Sequence, residues 1–302
     1  MPADERSFQA CLRDAISGGR KIWPDGRQSC LLLTYDMDAD SSWIMRGLDE
    51  PVARSAGQFE VNVGTPCILE LMNWFGLNTT FFTPGWIAEQ YPRMVEAVAK
   101  AGHEIGFHGH LHEAPPTLSE AQEREVVRRG CAALEAITGK KPVGYRSPIW
   151  QLSRNTVRIL HEAGFKYTSD FMHTLLPTWN EVDGKTIDMI NLPGSWPLDD
   201  AVYFQFHITI RTAVRRAADV LEIYKEEFRA VHAVGGLFTL VMHPQLSGRP
   251  SRVLMLKEFI DYVKGFEGVW LPRPIDVVEY WLSEHKNFGP RLNSATPEGI
   301  SD

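Results

Sequence analysis

Short apolar runs with strand character alternate along this chain with stretches of helical spacing, and few folds accommodate that order. The runs CLLLTYD (30–36), TTFFT (79–83), EIGF (104–107), VGYR (143–146), FKYTS (165–169), GLFTLVM (236–242) and VWL (269–271) are rich in β-branched, aromatic and aliphatic residues, as buried strands are. Between them the spacing predicts helices from Thr65-Pro66 through Trp74 and over 85–100, 117–139, 154–163, 209–231, 252–265 and 275–285. Local punctuation agrees. Pro66 and Gly76 bracket one helix, Gly102 follows the next, and Ser119 and Gly139 stand where an N-cap and a terminating glycine belong. Strands that are apolar throughout, alternating with helices, predict an α/β fold with a parallel sheet covered by helices, either an open sheet or a closed barrel. Both arrangements put ligand chemistry at the carboxyl ends of the strands.

The chain has 302 residues, enough for one large core. We read it as a single catalytic domain, with 1–21 and 286–302 as peripheral arms. Its formal net charge of -7 gives it no general attraction to nucleic acid or anionic membranes. No apolar run is long enough to span a bilayer, and the polar N-terminus has no signal-peptide core. The expectation is a cytoplasmic protein. Cys11, Cys30, Cys67 and Cys131 are scattered without a CxxC pair and read as free buried thiols.

The strand-end rule has a direct test, because polar residues should gather where apolar runs stop. CLLLTY runs into Asp36-Met37-Asp38-Ala39-Asp40, and EIGF into His108-Gly109-His110-Leu111-His112. VGYR ends in Arg146-Ser147-Pro148, and GLFTLVM in His243-Pro244. Taken singly, each is open to a bland reading as a solvated acidic turn, a surface histidine cluster or a surface base. Taken together on one rim, they provide metal ligands, a carboxylate base, an arginine to hold it and a histidine acid, the set that metal-assisted hydrolysis needs. One Asp and two His give a catalytic zinc its three protein ligands and leave a position open.

These motifs resemble the polysaccharide deacetylase (NodB-type) superfamily, carbohydrate esterase family 4, over roughly residues 22–282. TYDMDAD corresponds to its first motif. The resemblance makes Asp36 the base and Asp38 a metal ligand, although Met37 separates two acids that the family usually places side by side. His108 and His112 match the H-x-x-x-H motif, Arg146-Ser147-Pro148 the R-x-P motif, and His243 in VMHPQLSGRP the late histidine. LPGSWPLDD (192–200) occupies the place of the remaining motif only loosely, with Trp196 as a pocket wall. The Asp-x-Asp-Ala form is similar to a subgroup of intracellular peptidoglycan-deacetylase-like proteins, cyclic imide hydrolases and allantoinase-like proteins. The resemblance implies a distorted parallel (β/α) barrel with fewer than eight strands. It also implies one divalent ion, zinc first with cobalt, nickel or manganese as alternatives, and a homo-oligomer, dimeric or tetrameric.

The expected activity is metal-dependent hydrolysis of a non-peptide C–N bond in a small intracellular amide or cyclic imide. The alternatives are deacetylation of N-acetylated sugars or peptidoglycan fragments, and a non-enzymatic relative that keeps the fold for binding. The segment 41–62 is expected to cap the pocket with Trp43, Arg46 and Phe59, or else to serve as an oligomer contact. Pro148, Trp150, His173 and Trp196 complete the expected pocket. His103 and His110 are read as supporting residues, and His161, His207, His232 and His285 receive no role.

Overall fold

The computed structural model describes residues 3–206 and 213–286, without the side chains of residues 3–6. Most of the arm 286–302, His207 and residues 209–212 of the expected 209–231 helix lie outside these residues.

The strands are β1 (Ser29–Asp36), β2 (Thr80–Thr83), β3 (Glu104–Phe107), β4 (Gly144–Tyr145), β5 (Tyr167–Thr168), β6 (Thr178–Val182), β7 (Lys185–Asn191), β8 (Leu237–Met242) and β9 (Val269–Trp270). Among the described residues eight strands pair parallel, seven of them along the path β8-β1-β2-β3-β4-β5-β7, while β6 pairs antiparallel with β7. β9 joins the start of β1 at Ser29 and Cys30. A parallel bridge from Asp199 to Val241 brings the chain beyond β7 back against β8. The sheet therefore curls into a distorted barrel whose parallel path has seven strands where the regular form has eight, with β9 off that path.

The period of two along a strand divides its side chains between the barrel interior and the helix layer. Cys30 and Leu32 of β1 join Phe82, Tyr167, Ile190 and Leu237 in one buried cluster, with Trp281 below. Leu31, Leu33 and Tyr35 join Phe81, Phe238 and Leu240 in the other, under the surrounding helices. Both faces are thus apolar, which is why these strands read as continuous hydrophobic runs rather than alternating ones. Cys30 and Cys131 are buried free thiols, but Cys11 is exposed and Cys67 half-buried.

Several elements depart from the sequence reading. The helix expected over 85–100 is two helices, Gly85–Gln90 and Pro92–Lys100, because Tyr91 precedes a proline and leaves the helical region at φ -126°, ψ 51°. Residues 213–216 are not helical, and the helix there runs Ala217–Val234. Residues 1–21, read as an arm, contain the helix Ala3–Ser17. That helix is tied down where the Arg13 guanidinium donates to the Ala233 carbonyl at 2.7 Å. The hairpin β6–β7 was not anticipated. No helix among the described residues is long and apolar enough to cross a membrane.

Candidate active site

β1 is buried along its whole length, and its parity places Asp36 on the same face as Cys30 and Leu32. Met37 points the other way and is fully buried among the helix-facing apolar residues. Asp38 then returns to the interior side. The interposed methionine therefore fills the outer layer while both acids reach one cavity.

Asp36 meets Arg146, carried just beyond β4, with its Oδ1 2.7 Å from Nη1 of a guanidinium that is itself fully buried. Arg146 is fixed further by a hydrogen bond from Nη2 to the Ser169 hydroxyl at 3.0 Å. Its guanidinium also lies over the Phe82 ring, 4.3 Å from the centroid. Burial alone pushes Asp36 up. The charges of Arg146, His108 and His243 outweigh it and hold the carboxyl below its ordinary value.

Asp38, His108 and His112 are all buried, with ligand atoms within 4.8 Å of one another. The Nε2 atoms of His108 and His112 each lie 3.5 Å from an Asp38 oxygen. Ligands of a tetrahedral zinc at about 2.1 Å stand roughly 3.4 Å apart. Asp38 Oδ1 is buried without a hydrogen-bond partner, as a carboxylate oxygen awaiting a cation would be. His108 lies with Nδ1 2.8 Å from the Arg146 carbonyl. That acceptor requires the proton on Nδ1 and leaves the Nε2 lone pair free. Burial pushes the His108 imidazole down and His112 to about 3, so both are neutral, the form that binds metal. His112 reaches this position from a left-handed backbone, φ 62°. These three residues fit a divalent ion in their chemistry and in their spacing.

His243 follows β8, the neighbour of β1, and brings its Nε2 to 3.9 Å from Asp38 Oδ2. Its Nδ1 bonds Asp200 Oδ1 at 2.7 Å, and its backbone amide donates to Asp200 Oδ2 at 3.0 Å. The Ser247 hydroxyl also donates to Asp200. Burial alone lowers the His243 imidazole, but Asp200 and then Asp199 and Asp38 raise it well above the usual histidine range. Asp199, pushed up to about 6 by burial, accepts the Trp150 indole N–H at 2.6 Å.

A cavity of about 260 Å³ opens over these groups, walled by Arg46, Ile149, Trp150, Trp196, Val202 and Gln245. Ile149 and Trp150 both hold positive φ, 53° and 58°, a costly conformation for a β-branched residue. The turn aims Trp150 across the cavity toward Trp196, at 6.2 Å between ring centroids. Gly194 lies beneath it, and a Cβ there would stand 2.5 Å from the ring.

Three residues expected in the pocket wall lie elsewhere. The Trp43 indole donates to the Gln245 side-chain oxygen at 3.2 Å, so Trp43 backs a wall residue rather than forming the wall. Pro148 is buried beneath the turn that presents Ile149 and Trp150. His173 is exposed beside Phe171, away from the cavity. Phe59 of the 41–62 segment is also absent from the wall and packs under the Arg249 guanidinium. Of the supporting histidines, His103 accepts the Thr79 backbone amide at 3.1 Å, and His110 stands 3.7 Å from Glu89. The sequence reading missed Asp199, Asp200 and Gln245. Two adjacent acids after Leu198 were a usable signal, because a barrel closing at that point places them beside the end of β8.

Most of 41–62 lies behind the site. The helix Pro51–Phe59 leads into a π-helical turn, Glu60–Gly64. A Cβ at Gly57 would meet the Ala39 carbonyl oxygen at 2.4 Å, and one at Gly64 the Pro244 carbonyl oxygen at 2.3 Å. The segment thus touches both the turn that carries Asp38 and the turn that follows His243. Glu60 is fully buried here, and burial together with the nearby Asp38 pushes its carboxyl far up.

Comparison with known proteins meets this geometry at each of its parts. The family profile described as Polysaccharide deacetylase matches residues 25–168, which carry Asp36, Asp38, both metal-site histidines and Arg146. A peptidoglycan deacetylase of Helicobacter pylori is 29% identical over 269 residues, covering 79% of this chain and 92% of that protein. Among solved structures, Puue allantoinase superposes with a TM-score of 0.78 at 25% identity, covering 90% of this chain and 97% of that one. A putative polysaccharide deacetylase from Mycobacterium smegmatis superposes with a TM-score of 0.81 at 35% identity, covering 85% of this chain and 91% of that one. With that identity over nearly the whole length, and with the acids, histidines and arginine gathered at one barrel mouth, the chain belongs to the polysaccharide deacetylase (NodB, carbohydrate esterase family 4) family of hydrolases that act on C–N bonds.

Proposed function

We propose that the protein is a metal-dependent hydrolase of a small amide or cyclic imide. The observation that carries this reading is the small size of the cavity, about 260 Å³, above the Asp38, His108 and His112 cluster. Trp150 and Trp196 stand across it where a polymer-binding enzyme needs an open groove, and Arg46 limits it from the 41–62 side. The similarity to an allantoinase supports the same substrate scale.

Asp38, His108 and His112 would hold the ion, zinc by its preference for this ligand set. When bound, a divalent ion supplies Lewis-acid polarisation of the scissile carbonyl and acidifies water. Asp36 accepts the proton of the attacking water. Arg146 keeps that carboxylate ionised and turned toward the cavity. His243 delivers a proton to the departing nitrogen, which otherwise leaves as an unstable amide anion. Asp200 holds the His243 ring by Nδ1, so the proton available to substrate sits on Nε2, the atom that faces Asp38.

A second reading, deacetylation of N-acetylated sugars or peptidoglycan fragments, draws on the name of the Helicobacter pylori relative. One assay separates the two. Zinc-loaded protein is offered succinimide, hydantoin and chitin oligomers, with Asp36→Asn as the control that keeps the metal. Turnover of the ring compounds that is lost in the control supports the first reading. Turnover of chitin oligomers alone overturns it.

A further inference from the structure

Arg46 stands at the mouth of the cavity with no hydrogen bond or ion pair to its side chain among the described residues. Every other charged side chain of the cavity wall has a partner. Asp36 has Arg146, Asp199 has the Trp150 indole, and His243 has Asp200. Asp38 and the two histidines share the metal cluster. The Arg46 charge is felt at both Asp38 and His112, so its guanidinium lies within electrostatic reach of that cluster. An ion held there would offset the pull of Asp38 on it, and no carboxylate among the described residues pairs with it directly.

The neighbouring wall adds a second donor. Trp43 and Arg46 are three residues apart at the end of the Ser41–Met45 helix and share a face. The Trp43 indole N–H can only donate, so it takes the oxygen of the Gln245 side chain, at 3.2 Å. This fixes the amide orientation and leaves the Gln245 NH2 without a protein partner among the described residues. Gln245 is 4% exposed and lines the cavity. A guanidinium and an amide NH2 therefore line the same cavity, both as donors and both without a protein partner among the described residues.

We propose that Arg46 and Gln245 form a carboxylate subsite, and that the substrate is a small amide or cyclic imide carrying a carboxylate a few bonds from its scissile carbonyl. The subsite rests on the reading of the protein as a small-molecule C–N hydrolase and narrows its substrate class. A carboxylate there would neutralise the guanidinium beside the metal and accept hydrogen bonds from both residues. Arg46 is then a specificity residue: it selects the anionic substrate and takes no part in the proton transfers of Asp36 and His243.

The test compares hydantoin-5-acetate with its uncharged amide, hydantoin-5-acetamide, on zinc-loaded protein. Arg46 is exposed and makes no structural bond, so Arg46→Gln should fold normally. For the carboxylate, Arg46→Gln should lower kcat/KM by about 10- to 100-fold through KM, the range of a lost charged hydrogen bond. Arg46→Lys should recover part of the loss, and the uncharged amide should change by no more than about twofold. Equal losses on both compounds would make Arg46 an oxyanion or folding residue and overturn the subsite, as would no loss on either. Calorimetric binding of the same two compounds to zinc-loaded Asp36→Asn protein, with and without Arg46→Gln, separates the two levels of the reading. Arg46-dependent binding of the carboxylate without any turnover by the wild type would leave the subsite standing and remove the proposed reaction. Turnover of both compounds with no dependence on Arg46 would do the reverse.

Discussion

His243 is rigid on three counts: it follows a fully buried strand, its ring is pinned by Asp200, and its own amide is bonded to the same carboxylate. Its raised proton affinity suits a group that must arrive charged and leave neutral. His243→Ala should therefore cost about 10²–10⁴-fold on an amide or imide. The loss should be much smaller on 4-nitrophenyl acetate, whose leaving group departs without a proton. Equal losses on both would move His243 from acid to oxyanion support, and an unchanged amide rate would remove it from the mechanism. The chemical identities at the strand ends were legible in the sequence because acids and histidines are expensive inside buried strands, so their positions mark where strands stop. Asp200 was less legible. Its importance depends on a bridge between Asp199 and Val241, which no local pattern announces.

At the scale of elements, the 51–64 segment acts as a wedge whose two contact points are glycines. Gly57 rests on the Asp38–Asp40 turn and Gly64 on the Pro244 carbonyl, so a methyl group at either must push apart loops that hold opposite sides of the site. Gly64→Ala should destabilise the fold by about 1–3 kcal/mol and raise the metal dissociation constant. Denaturant unfolding and metal titration would measure the two effects. Wild-type stability together with wild-type metal affinity would show that the wedge gives freely. The hairpin shows the limit of reading strands by apolarity alone. β6 and β7 mix polar and apolar residues and so lack a continuous hydrophobic run, but Asp183-Gly184 between them is a two-residue turn signal. Both residues take positive φ, 51° and 71°, as such a turn requires. The split at Tyr91 was equally available from Pro92. Arg46, Trp150 and Trp196 of the cavity wall were expected from the sequence, but the aim of Trp150 was not available, since it depends on left-handed backbone at Ile149 and Trp150, which sequence spacing does not encode.

For the whole molecule, an ion held by Asp38, His108 and His112 would turn binding energy into folding energy. Asp38 is buried, and burial raises its carboxyl above the ordinary value, so the metal-free protein carries a desolvated acid with an unsatisfied oxygen. Zinc at a thousandfold excess over its dissociation constant would stabilise the native state by about 4 kcal/mol. In a chain of this size that is a rise in Tm on the order of 10 °C. Scanning calorimetry of chelated and zinc-loaded protein would measure it. A Tm indifferent to zinc, or a response that survives His108→Ala and His112→Ala together, would exclude the cluster as the site. The barrel itself was legible from the order of its elements, whereas the near-closure through the 192–200 segment was not, because that stretch carries no strand pattern of its own.

The pairing of β1 with β8 joins Cys30–Tyr35 to Leu237–Met242, two stretches made at opposite ends of synthesis. Asp36 and Asp38 leave the ribosome early, while His243 and its companion Asp200 come late. In the proposed reaction a growing chain would hold its base and its first metal ligand long before it owned an acid. Pairing strands so far apart in sequence is slow, and the last long strand in the chain, β8, is the one that leads into His243. On the proposed mechanism the nascent protein would stay inert until the barrel had shut, and competence to cleave would report that folding had ended.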